Sequence, residues 1–151
     1  MGDQTAPPLG GAAGRAQVPA SERCACDTGE PFAACCGLIL DGVPAPTALA
    51  LMRSRYTAFV RKDFAYLVAT HDPATVGTTN AVDLARATSR TIWLGLEIVA
   101  TAAGGEADDT GIVEFIARGS TLSSGKSFAQ RERSRFRRVA GRWVYSDGDI
   151  T

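Results

Sequence analysis

The chain has 151 residues, room for one ordinary domain and a small appendage. Sixteen Lys and Arg balance sixteen Asp and Glu, so no overall charge draws it to nucleic acid or an anionic membrane; such a partner would have to meet a local patch. No apolar run is long enough to span a bilayer.

Residues 1–20, "MGDQTAPPLGGAAGRAQVPA", are rich in Gly, Ala and Pro and lack the contiguous apolar stretch of a signal peptide. The initial Met-Gly is a weak match to a myristoylation signal, because Ala6 stands where Ser or Thr is usual. The segment reads as a disordered leader, and the protein as cytoplasmic.

All four cysteines fall within "SERCACDTGEPFAACCG", Ser21 to Gly37. A disulfide knot and a metal cage compete for this stretch. A reducing compartment argues against disulfides. So does geometry: Cys35 and Cys36 are adjacent and Cys24 and Cys26 only one residue apart, both poor spacings for a bond, although pairing between the two halves stays open. Four thiolates in two close pairs suit the tetrahedral shell of zinc. Asp27, Thr28 and Gly29 supply turn chemistry, and Gly37 releases the chain. A loop this short has almost no core, so metal would supply most of its folding free energy.

This C-x-C-x8-C-C-G pattern resembles the SEC-C motif, named for the zinc-binding tail of the bacterial preprotein translocase ATPase. Cys24, Cys26, Gly29, Cys35, Cys36 and Gly37 match it, while Ala25, Asp27, Thr28 and Phe32 replace its usual Pro, Gly, Ser and Tyr. The resemblance implies a zinc loop over residues 21–42 with Cys24, Cys26, Cys35 and Cys36 as ligands. It also implies protein docking, since the translocase tail uses its loop for chaperone and ribosome contacts.

Asp41, Gly42, Pro44 and Pro46 mark a linker. A helix then starts at or just before Thr47, with Leu49, Met52, Tyr56 and Phe59 on one face and Arg53, Arg61 and Lys62 off it. Asp63 caps a shorter helix that turns Phe64, Leu67 and Val68 inward. "THDPATVGTTN" breaks it, and "AVDLARATSR" reads as a third short helix or an irregular crossover. From Arg90 the period becomes two. "TIWLGLEIVATA" places Ile92, Leu94, Leu96 and Ile98 on one face, and "IVEFIARGS", "SFAQRERSRFRRV" and "WVYSDGD" follow as strands separated by turns. Helices first and a meander second predict an α+β domain with helices on one face of a curved sheet.

The cysteine loop followed by "APTALALMRSRYTAF", "GLEI", "VEFIAR", "ERSRF" and "GRWVYSDGD" resembles the bacterial SEC-C proteins of the YchJ type (UPF0225). That resemblance implies an NTF2-like cone over residues 43–151, three helices on a bent sheet enclosing a pocket. Members often carry a His ahead of the E-x-S-R-F piece, where this chain has Gln130 and Arg131, so the resemblance does not carry His-based chemistry over to that position.

On the third strand Phe128, Gln130, Glu132, Ser134 and Phe136 share one face, and Arg131, Arg133, Arg135 and Arg137 the other. With the Phe residues inward, Gln130, Glu132 and Ser134 line the pocket, and Glu114 from the neighbouring strand joins them. Glu132 is then either a general base or the buried partner of a helix arginine, Arg53 or Arg55; the structural pairing is the reading taken, because no nucleophile–base–orienter set is visible. His71, the lone histidine, sits beside Pro73 without an identifiable partner. The arginine row, extended by Arg138 and Arg142 near Trp143 and Tyr145, offers phosphate contacts and stacking, but at zero net charge it reads as a solvated face. The functional reading is therefore a zinc-loaded, non-enzymatic binding or adaptor protein. The alternatives are an enzyme or carrier with a small ligand in the pocket, and an RNA or ribosome contact through the arginine strand.

Overall fold

The structure, a computed structural model, describes residues 22–151; the leader expected over 1–20 lies outside them. A 3-10 turn (Phe32–Ala34) leads into the short helix α1 (Cys36–Leu40), followed by α2 (Ala48–Arg61), α3 (Phe64–Ala69) and α4 (Ala81–Ala87). Four strands follow: β1 (Thr91–Ala103), β2 (Thr110–Thr121), β3 (Ser127–Val139) and β4 (Arg142–Ile150). They form an antiparallel meander in the order β1-β2-β3-β4, with the helices on one face. This is the expected α+β architecture.

Each helix begins where a side chain answers an orphan N–H. The Thr47 hydroxyl accepts from the Ala50 N–H, the Asp63 carboxylate from Tyr66 and the Asn80 amide oxygen from Asp83. Helix α2 ends at Lys62, whose left-handed φ of 60° directs its N–H back to the Ala58 and Phe59 carbonyls.

The burial of α2 departs from the single stripe expected. Leu51, Met52, Ser54, Arg55, Tyr56, Thr57 and Ala58 are all buried, while Leu49 and Phe59 are only partly so. The cause is packing on two sides: the sheet covers one flank and the cysteine segment the other, joining Cys24, Cys26, Phe32, Cys36 and Leu40 to the same core as Leu96, Val113, Phe115 and Phe136.

Strand β1 also departs from the expectation. Ile92 and Leu94 are exposed, whereas Leu96 is buried and Trp93 is half-buried against Tyr56, Phe59 and Phe128. A bulge between Trp93 and Gly95 shifts the register by one residue, and a one-residue shift exchanges the faces. A second irregularity in β1, between Ile98 and Ala100, and one opposite Arg135/Phe136 in β4 add to the curvature.

The β1–β2 turn anchors the start of α2. The Ala48 N–H donates to the Gly104 carbonyl at 2.9 Å, and Gly104 and Gly111 lie backbone to backbone. A Cβ at Gly111 would sit 2.4 Å from the Gly104 Cα. Gly111→Ala should therefore lower the thermal midpoint, by about 1–3 kcal/mol of stability; an unchanged melt would show that the turn yields freely.

Candidate metal centre and inner-face polar cluster

The cysteine segment is pinned at its base. The Cys24 N–H donates to the Glu30 carbonyl at 2.8 Å and Phe32 N–H to Glu22 at 2.6 Å, and Arg23 bridges Pro31 in antiparallel fashion. The chain between them reverses through Asp27 (φ 65°) and Gly29 (φ 87°). Phe32 is buried beneath the Arg61 guanidinium, which lies 4.1 Å from its ring centroid. Gly37 packs so closely on Phe32 that a Cβ there would sit 2.7 Å from the Phe32 carbonyl oxygen.

This framework brings the four sulfurs together. The Sγ atoms of Cys24, Cys26, Cys35 and Cys36 all lie within 4.8 Å of one another, with Cys26 and Cys35 at 3.6 Å. All four are free thiols, so the segment is not a disulfide knot. Zinc–sulfur bonds of about 2.3 Å place tetrahedral sulfurs about 3.8 Å apart, so the donor set fits one such ion with little movement. The Thr57 hydroxyl stands 3.7 Å from the Cys24 sulfur and the Thr28 hydroxyl 3.3 Å from that of Cys35, positions from which hydroxyls orient thiolates. The thiols interact strongly: the neighbouring Cys24 and Cys36 thiols pull Cys26 far below the usual thiol range. Cys36, engaged with Cys24 and Cys26, is pushed far above that range, and burial raises Cys35 to about 11.

Two further contacts fix the segment to the body, and neither is foreshadowed in the sequence pattern. Arg53 donates to the Cys26 carbonyl at 2.7 Å. Asp27, standing where the motif has Gly, accepts the Leu96 N–H at 3.0 Å on edge strand β1. The Leu96 amide lies beside the bulge. Burial, together with the nearby Asp27 charge, raises Tyr56 to about 12, which keeps that phenol neutral. The carboxylate of Asp27 thus compensates for its unfavourable φ.

On the inner face, Glu132 and Ser134 do come together. Glu132 Oε2 accepts from the Ser134 hydroxyl at 2.7 Å and from the Tyr145 hydroxyl at 3.0 Å. Arg55 does not pair with Glu132 directly. It donates to the Leu67 carbonyl and the Thr70 hydroxyl, and its guanidinium lies over the Tyr145 ring at 4.8 Å. Burial lowers Arg55 to about 10, which leaves it charged at neutral pH, and Tyr145 is raised, first by burial and then by Glu132. Tyr145 therefore mediates between the two charges, a role the sequence reading missed. The space left beside this cluster is about 40 Å³.

The other expected pocket residues stand apart. Gln130 is exposed. Glu114 is on the opposite face: it is in register with Arg133 and pairs with Arg131 at 2.6 Å. The β2 residues that turn inward are Val113, Phe115 and Ala117, so the even-numbered positions face outward with the arginine row. That row meets carboxylates. Arg135 binds Asp147 and Asp149, and Arg137 binds the buried Asp72. Arg137 holds Asp72 well below the usual carboxylate range. His71 packs edge-on to Tyr145 at 5.3 Å, and burial lowers its pKa.

Comparison with known proteins places this arrangement. The family model of the YchJ middle NTF2-like domain matches residues 47–148. A UPF0225 protein of Chromobacterium violaceum is 46% identical over 127 residues, covering 83% of this chain and 90% of that protein. One from Streptomyces avermitilis is 43% identical over 133 residues, covering 87% of each. Among solved structures, a SEC-C motif containing protein from Rhodopseudomonas palustris superimposes with a TM-score of 0.76 at 35% identity, covering 84% of this chain and 97% of that one. A SEC-C motif containing protein from Psychrobacter arcticus gives 0.69 at 28%, covering 87% and 84%.

Two substitutions test the two halves of this region. Asp27→Ala keeps the strained φ and removes the acceptor for Leu96, so it should cost about 1–3 kcal/mol in a denaturant melt, whereas Asp27→Gly, free of strain, should cost roughly 1 kcal/mol less. Equal losses would deny the strain. Glu132→Gln should lower stability by about 1–3 kcal/mol by leaving Arg55 without its compensating charge. A melting point that rises on this substitution would mark Glu132 as a strained carboxylate and the cluster as a candidate base.

Proposed function

This chain belongs to the UPF0225 family of YchJ-type proteins, a SEC-C cysteine motif ahead of an NTF2-like domain, and from that premise we propose that it is a zinc-loaded, non-enzymatic binding protein of the cytoplasm. The observation that carries this reading is the convergence of four free thiols within 4.8 Å. Four sulfur donors make a closed shell, which suits a structural ion rather than a catalytic one with an open position. Cys24, Cys26 and Cys36 are buried, so the ion would sit inside the protein and act by shaping its surroundings. When bound, zinc supplies cross-linking of the two cysteine pairs and releases the thiol protons. Free thiols in this number also accord with a reducing compartment.

The inner face supports a non-enzymatic reading. The aromatic rings of Tyr56, Phe59, Trp93 and Phe128 fill the interior near β1, and about 40 Å³ beside Glu132 is far below the roughly 300 Å³ of a small ligand pocket. The carboxylates paired with Arg131, Arg135 and Arg137 likewise favour a solvated outer face over a phosphate-binding one.

Elemental analysis of protein purified without chelator should find about one zinc per chain, falling on Cys24→Ser or Cys36→Ser substitution. Four titratable thiols and no metal would overturn the reading. Chelation should broaden or shift amide NMR signals of residues 22–42 while those of β2 and β3 persist, because the sheet has its own core and the cysteine segment leans on metal and α2. Loss of signals throughout would mean that segment and body unfold as one unit.

A further inference from the structure

A groove of about 350 Å³ lies between α1 with its following linker and strand β4, apart from both the thiol cluster and the Glu132 cluster. Ile39 and Val43 line one side, Trp143 and Val144 the other, and Leu51 of α2 also lines it. Arg142 at its border is exposed, and no carboxylate among the described residues lines it. His71 also lines the groove but is neutral at neutral pH, because burial lowers its pKa. The apolar surface continues outward: Val43 is 49% and Leu38 47% exposed. The trough opens onto further apolar surface, and the one permanently charged side chain that lines it is cationic.

We infer that this groove is the docking site of a partner protein's short hydrophobic segment that carries an acidic residue beside its apolar anchor. The inference rests on the reading of the chain as a metal-built binding protein. Ile39 belongs to a helix whose first residue, Cys36, is a thiol of the cluster, so the metal fixes one wall of the groove against α2. Zinc then has a purpose without being touched by the partner. It holds α1 in place, and the partner rests between α1 and β4. Arg142 selects the acidic flank, a rim charge that steers and orients more than it binds.

The test uses the full zinc-loaded chain and a random dodecapeptide display library. Selected peptides should carry a large apolar residue with Asp or Glu within a few positions. Synthetic copies should bind Val43→Asp about tenfold or more weakly, since a charge in an apolar contact leaves it desolvated and unpaired. Binding to Arg142→Glu should weaken about two- to fivefold. Both side chains are exposed, so zinc content and melting point should match the parent and separate lost docking from lost folding. No enrichment on a chain that carries its zinc, enrichment without acidic residues, or binding indifferent to Val43→Asp would each overturn the inference and leave the metal reading standing. Self-association that Val43→Asp abolishes would assign the groove to a second copy and also overturn it. A chain that carries no zinc fails the earlier reading, whatever the groove binds.

Discussion

Helix α2 is held between two bodies of different kinds. On one flank its Arg53 and Thr57 meet the cysteine segment, at the Cys26 carbonyl and the Cys24 sulfur. From the same helix Tyr56 reaches the Trp93 ring of β1, and Arg55 lies over Tyr145 of β4. A helix so enclosed cannot expose a polar face, which is why Ser54, Arg55 and Thr57 are buried and why each is hydrogen-bonded or in contact with a sulfur. Everything else in the structure depends on this enclosure. The thiols converge because α2 gives their segment a wall, and the sheet curves to cover the opposite flank.

The enclosure also explains the polar interior. A buried guanidinium is costly unless its donors are met and its charge is balanced. Arg55 meets the first need through Leu67 and Thr70, which ties α3 to α2. The second is met through the Tyr145 ring and the Glu132 carboxylate behind it. Glu132 is accommodated because the β4 residue in register with Ser134 is Gly148; a Cβ there would lie 2.2 Å from the Glu132 Oε2. The Tyr145–Ser146–Asp147–Gly148 run thus serves the core at Tyr145 and Gly148 and the outer arginines at Asp147. A cluster in which the charges are already answered, with little space beside it, is held rigidly in place.

Seen from the metal side, the body is a scaffold that positions a thiol cage and the surface around it. Asp27 is informative here. In the motif this turn position usually holds Gly, which adopts a positive φ without cost. Asp27 adopts the same conformation and uses its carboxylate to hold the Leu96 N–H, so the cage is stitched to the sheet edge as well as to α2. Such an edge amide otherwise invites pairing with another chain.

The sequence by itself determined most of the elements and the set of four thiols that converge. The spacing of Cys24, Cys26, Cys35 and Cys36 identified one donor set, and the caps at Thr47 and Asp63 placed two helix starts. Strict alternation along β3 separated Glu132 and Ser134 from the arginines, because these are local properties, set by neighbours within a turn or a pleat. Where alternation was interrupted or had to be transferred between strands, local reading failed. The bulge at Gly95 reversed Ile92 and Leu94, and Glu114 was placed inward by its apolar neighbours Ile112 and Ile116 although its cross-strand partner is Arg133. Register is set by pairing across the sheet, and nothing within one strand encodes it. The same limit hid Asp27 on Leu96, Arg53 on Cys26 and Tyr145 between Arg55 and Glu132. Those contacts join residues 13 to 90 positions apart, and only the packing of the cysteine segment, α2 and the sheet around one another brings them within reach.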